Sequence, residues 1–150
     1  MDAMDRKILA ELQRDGRMSL TDLADRVQLS LSPCHRRVRA LEQSGAIDGY
    51  RAQVNLNALG LTFESLVFVT MQDAQRSTLD AFEAAVEAVP NILQAQRLFG
   101  NPDYLLRVVA ADLPAFQRLY DEQIAALPGV LKLSSTLVMK TVVDHRPAPL

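Results

Sequence analysis

Three arginines within four residues, Arg36, Arg37 and Arg39, lie close behind Ser30, Ser32 and His35. A helix turning about 100° per residue gathers Leu31, Cys34, Val38 and Leu41 on one side. It sets Ser32, Arg36 and Arg39 opposite them, with His35 and Arg37 on the flanks. A cationic face carrying a hydroxyl and free of interspersed glutamates suits an anionic polymer better than an ordinary solvated surface, where Glu and Lys or Arg alternate. Such a helix, propped on a compact partner, fits the major groove of DNA and offers guanidinium groups to base edges and phosphates. Ser32 and Arg36, near the leading end, are expected to reach bases. Arg37 and Arg39 are expected to grip phosphate, Ser30 presents a hydroxyl and a helix N-terminus to a phosphate oxygen, and His35 touches or flanks the duplex.

The elements that must hold this face can be read around it. Ile8, Leu9 and Leu12 form one stripe of a first helix over residues 5–14. It is expected to end at Asp15-Gly16-Arg17, with Gly16 taking a positive φ. Ser19 caps a second helix with Asp22 three residues on, and Leu20, Leu23, Ala24 and Val27 form its inward side. Ser30 caps the third, Pro33 sits in its first turn, and Gly45 ends it. Residues 46–54 read as an extended wing and linker.

Beyond residue 60 the pattern changes. Residues 66–71 are rich in β-branched and aromatic types and read as a strand. Residues 77–89 read as a helix, 92–99 and 104–110 as a hairpin about the turn Gly100–Asp103, 113–127 as a second helix and 130–143 as a closing strand. The run Ala88-Val89-Pro90-Asn91-Ile92-Leu93 recurs faintly as Ala126-Leu127-Pro128-Gly129-Val130-Leu131, each time where a helix passes into a strand. Two split βαβ halves describe a ferredoxin-like sandwich, with both helices on one face of an antiparallel sheet. Because Leu66 and Phe68 as well as Val67, Val69 and Met71 are apolar, the second sheet face is expected to meet another copy of itself, giving an isologous homodimer.

Composition bounds the remaining classes. The 150 residues are 49% hydrophobic, enough for packed cores. Net charge is −2, but residues 1–55 carry +1 and the rest −3, and screening over about 8–10 Å makes the local arginine cluster what a duplex senses. One cysteine, Cys34, forbids an intrachain disulfide and suits a reducing cytoplasm. The N-terminus lacks the pattern of a signal peptide, and no apolar run is long enough to span a bilayer. With only His35 and His145 and no phosphate-cradling glycine loop, neither an enzyme nor a metal or cofactor site is expected.

Several motifs in one order, Met4-Asp5-Arg6-Lys7-Ile8-Leu9, Ser30-Leu31-Ser32-Pro33-Cys34, Gly45-Ala46-Ile47-Asp48-Gly49-Tyr50, Gly100-Asn101-Pro102-Asp103-Tyr104 and Leu127-Pro128-Gly129-Val130, give a resemblance over nearly the whole length. The chain resembles the Lrp/AsnC, or feast/famine, transcription regulators. That resemblance implies an α+β chain: a winged helix-turn-helix over residues 1–60, then a ferredoxin-like βαββαβ effector and oligomerisation domain over 61–150. It implies dimers that assemble into tetramers or octamers on roughly palindromic operators, and an amino acid or related metabolite bound between sensor domains. Where the family has acidic or small residues after the turn glycine, this chain has Asn101-Pro102. The expected effector residues are Gly100, Asn101, Asp103, Tyr104, Ser134, Ser135 and Thr136, with Asp103 accepting an ammonium and loop N–H groups receiving a carboxylate. An effector-independent architectural DNA-binding protein is the alternative.

Overall fold

The computed structural model describes all 150 residues, which separate into two compact units: residues 1–53 with 142–150, and residues 54–141.

The first unit holds α1 (Ala3–Arg14), α2 (Leu20–Val27) and α3 (Leu31–Gln43). Asp2 caps α1 in a capping box with Asp5, each side chain accepting the other's backbone N–H, so two orphan donors are satisfied together. Ser19 accepts the N–H of Asp22 and starts α2. The turn into α3 runs through Gln28 at φ 60, a left-handed residue that a non-glycine rarely supplies. Ile8, Leu9, Leu23, Ala24, Val27, Cys34, Val38 and Leu41 close the core. Two expectations change here. Gly16 has no positive φ, because α1 is ended by Asp15 in extended conformation; a Cβ at Gly16 would lie 3.5 Å from the Tyr50 ring. Residues 46–54 form no strand, so the wing is an irregular loop. Residues 142–150 cluster with the helices. The Gln13 side-chain amide and the Ala148 backbone exchange hydrogen bonds, the Ala148 N–H donating at 2.6 Å and Gln13 Nε2 returning one to the Ala148 carbonyl at 3.3 Å.

The second unit runs β1 (Phe63–Met71), α4 (Arg76–Glu87), β2 (Ile92–Arg97), β3 (Tyr104–Ala110), α5 (Leu113–Leu119) and β4 (Val130–Leu137). The strands are antiparallel in the order β2-β3-β1-β4, the arrangement two interleaved βαβ halves must make. Alternation sorts the side chains. Val67, Val69, Met71, Tyr104, Leu106 and Val108 pack under Leu79, Phe82 and Val86 of α4 and Phe116 and Leu119 of α5. Leu66 and Phe68, with Leu105 paired to Phe68, point the other way and stay half-buried. On that same face Arg107 makes a bidentate pair with Glu64, at 2.7 and 2.9 Å. The second helix is shorter than its periodicity predicts. After Leu119 the backbone widens into a π-turn over Tyr120–Ile124, with Ala125 N–H donating to the Tyr120 carbonyl at 2.8 Å. The closing strand ends at Leu137, six residues before the expected limit. At the α5–β4 junction Gly129 takes φ +72, and a Cβ there would clash with the Thr78 methyl.

Candidate nucleic-acid interface and effector region

The exposed side of α3 follows from what its other side buries. Cys34, Val38 and Leu41 face the three-helix core, and burial pushes the Cys34 thiol pKa up, so it is a packing group and not a nucleophile. That docking turns Ser32, His35, Arg36 and Arg39 to solvent. Arg36 and Arg39 take part in no ion pair, in contrast to Arg14, Arg26 and Arg37 on the same unit. Ser30 occupies the N-cap position of α3, yet its side chain makes no capping bond, and its exposed hydroxyl stays free.

Arg37 stands elsewhere. Its Nη1 donates to Asp2 Oδ2 and to Asp5 Oδ1, both at 2.7 Å. The carboxyl of Asp2 is held below the usual range by the Asp5 backbone N–H first and by Arg37 second, and the two carboxylates raise the Arg37 guanidinium in return. The capping box of α1 is thus also the anchor of the middle of α3. Leu31, placed on the buried stripe by its spacing, is 52% exposed, because the first turn of α3 overhangs the core. An exposed apolar residue beside Ser32 can meet a thymine methyl in a major groove, and no local sequence signal separates it from its buried heptad mates.

In the second unit the hairpin turn is tied down at several points. Asp103 Oδ2 accepts the Met71 N–H at 2.7 Å, Asp103 N–H donates to the Val69 carbonyl at 2.8 Å, and Leu98 N–H donates to the Asp103 carbonyl at 2.7 Å. Thr70 Oγ1 reaches Asn101 Oδ1 at 3.4 Å. Asp103 therefore latches the turn to β1 through one oxygen. Gly100 and Asn101 are exposed at the tip, and Phe99 beside them is fully exposed, although its type and position in the run mark it only as a strand residue.

The other expected effector residues do not converge on that turn within one chain. Ser134 and Thr136 pair with Phe68 and Leu66 on the open sheet face, whereas Ser135 pairs with Val67 and takes the helix-side alternation. Tyr104 is 3% exposed and faces the helices, its ring 4.6 Å from Phe82 and its hydroxyl donating to Glu83 Oε1 at 2.6 Å. It is on the opposite side of the sheet from Ser134, because Tyr104 shares a row with Val69 while Ser134 shares one with Phe68. The strand β1 separates β3 from β4, leaving about 10 Å between their backbones. Burial and Glu83 push the Tyr104 hydroxyl up to about 12, so it stays a donor at neutral pH. Nowhere do three or more His, Cys, Asp or Glu gather as metal ligands, and no helix is long and apolar enough to cross a membrane.

Family models match both parts of the chain. Residues 1–48 match the family model for winged helix-turn-helix DNA-binding, and residues 64–148 match that for the Lrp/AsnC ligand binding domain. The chain is 40% identical over 144 residues to the leucine-responsive regulatory protein of Rhizobium meliloti, covering 96% of this chain and 92% of that one. It is 38% identical over 145 residues to the proline dehydrogenase transcriptional activator of Rhodobacter capsulatus, covering 97% and 94%. Among solved structures, a transcriptional regulator of Neisseria meningitidis in complex with L-Met superposes with a TM-score of 0.94 at 32% identity, over 99% of this chain and 96% of that chain. With a helical reader whose cationic face is free, a βαββαβ unit of matching topology and relatives of this closeness over almost the full length, the chain belongs to the Lrp/AsnC family of DNA-binding transcriptional regulators.

Proposed function

We propose that this regulator reads its operator through Ser32, Arg36 and Leu31 at the leading end of α3, with Arg39 and Ser30 holding phosphates and His35 flanking the duplex. Arg37 positions α3 against α1 and makes no phosphate contact. The observation that carries this division is the pairing of Arg37 with both Asp2 and Asp5, while Arg36 and Arg39 have no carboxylate partner. The protein acts as a homodimer through the open sheet face of Leu66, Phe68 and Leu105, whose half-buried apolar centre is flanked by the Glu64–Arg107 pair. Two readers related by a two-fold axis need a roughly palindromic site with half-sites about one helical turn, or a multiple of it, apart.

An amino-acid effector is the second part of the proposal, and the L-Met complex of the Neisseria regulator supports it. The exposed tip Gly100–Asn101 and the free Oδ1 of Asp103 offer N–H donors and a carboxylate, and Ser134 and Thr136 offer hydroxyls from a different strand. Because these groups lie apart in one chain, the site closes only when a second sensor unit brings its own strand to the turn. Higher assembly then follows from ligand binding, and the activity is regulatory and cytoplasmic, not catalytic. Footprinting with random-sequence competitor, with and without each common amino acid, tests the reading. A protected palindrome whose occupancy changes with one amino acid is the expected result. Protection without sequence preference, indifferent to every amino acid, would replace it with an architectural role.

A further inference from the structure

A separate cavity of about 200 Å³ opens on the helix side of the sheet, between α4 and β2. Glu83 and Glu87, one helical turn apart, line it from α4, and Arg97 lines it from β2. Neither Glu87 nor Arg97 is in an ion pair, so opposite charges border one small space without neutralising each other. Phe82 and Val86 form an apolar wall, and Ala95 leaves the room that a longer side chain would occupy. The buried Tyr104 hydroxyl fixes one oxygen of Glu83 at 2.6 Å and leaves Oε2 for a ligand.

We propose that this cavity binds a basic α-amino acid, of the lysine or arginine type, within a single sensor unit. The ligand carboxylate pairs with Arg97, one cationic group with Glu83 and the other with Glu87, while the methylene stem lies along Phe82 and Val86. The charges select the class: two carboxylates and one guanidinium leave the lining one unit negative, and an amino acid with a cationic side chain restores neutrality where a zwitterion with an apolar side chain does not. This site goes beyond the effector region proposed above and does not depend on it, since Ser134 and Thr136 lie on the other face of the sheet.

Titration calorimetry of the full-length protein with L-lysine, L-arginine and L-leucine tests it. Lysine or arginine should bind the wild type and leucine should bind this cavity far more weakly. Glu87→Gln and Arg97→Gln, both at exposed positions, should each weaken lysine or arginine binding by about tenfold or more. Ala95→Leu should abolish it while the circular dichroism spectrum and DNA binding persist, and Ser134→Ala with Thr136→Ala should leave it unchanged. Absence of lysine and arginine binding, equal binding of leucine at this site, or binding indifferent to Glu87→Gln and Ala95→Leu would each overturn the proposal. Loss of an amino-acid response only in the Ser134 and Thr136 variant counts against the cavity and for the turn region, so the two readings fail separately.

Discussion

The division of labour among the three arginines of α3 can be measured as a salt dependence. Each phosphate neutralised by a protein cation contributes about 0.9 to the slope of log K against log salt. A dimer carries every arginine twice, so losing one phosphate contact per reader removes about 1.8 from the slope. Arg39, exposed and unpaired, is placed to make such a contact. Arg39→Gln should therefore shrink the wild-type advantage about tenfold as salt rises fourfold, from roughly 50 to 200 mM. Arg37 already has two carboxylates at 2.7 Å, and a cation so paired releases no counterions from DNA. Arg37→Gln should weaken binding by a constant factor at every salt concentration, because α3 loses its anchor on α1 while the slope stays at its wild-type value. Fluorescence anisotropy on a labelled operator, with both variants in a salt series, gives the two slopes directly. If Arg37→Gln flattens the slope as much as Arg39→Gln, Arg37 leaves its carboxylates to meet phosphate, and the positioning role is wrong.

Four further outcomes follow. Arg36→Ala should cost about 1–3 kcal/mol on the preferred operator and relax sequence preference, read by competition with single-base variants; unchanged preference would move Arg36 to a phosphate. Gly129→Ala should destabilise the sensor unit by about 2–4 kcal/mol in urea unfolding, since φ +72 is unfavourable for a Cβ that also clashes with the Thr78 methyl; a stability loss below about 1 kcal/mol would mean that the junction relaxes freely. Tyr104 is pushed up from 10.0 to about 12, so its protonated form stabilises the fold fully below pH 10, and this stability is lost as pH rises toward 12. The loss is roughly 2–3 kcal/mol, and Tyr104→Phe should remove that alkaline dependence. The depressed Asp2 carboxyl works in the opposite sense: its contribution is complete above its ordinary pKa of 3.8 and disappears as pH falls through the lowered value. Arg37→Gln should flatten that acid limb in thermal melts.

Residue types and their period specified much of this molecule. Of the stripes Ile8–Leu9–Leu12, Leu20–Leu23–Ala24–Val27 and Leu31–Cys34–Val38–Leu41, eight residues are core, while Leu12 is partly buried and Leu20 and Leu31 are exposed. The Pro-containing junction repeat marks the two helix-to-strand passages, with Ile92 and Val130 opening β2 and β4. Other features leave no trace in the local spacing. The length of the second helix was hidden because a π-turn keeps the apolar spacing nearly helical while shifting the backbone bond by one residue. Nothing in residues 142–150 announces that Ala148 bonds to Gln13, 135 residues away.

The amino-acid order by itself determined which faces exist: an arginine-rich helix side, a sheet apolar on both alternations, a turn at Gly100–Asp103. Tertiary structure decided how each polar group is used. It turned Asp2 and Asp5 onto Arg37, left Arg36 and Arg39 without carboxylates, bent Asp103 back to Met71 and sent Tyr104 under α4 to Glu83. Periodicity fixes the direction of a side chain relative to its own element, because that direction follows from local backbone dihedrals. Whether a charge is spent on a neighbour or left for a ligand depends on what another element brings within about 3 Å of it, and local dihedrals carry no record of that.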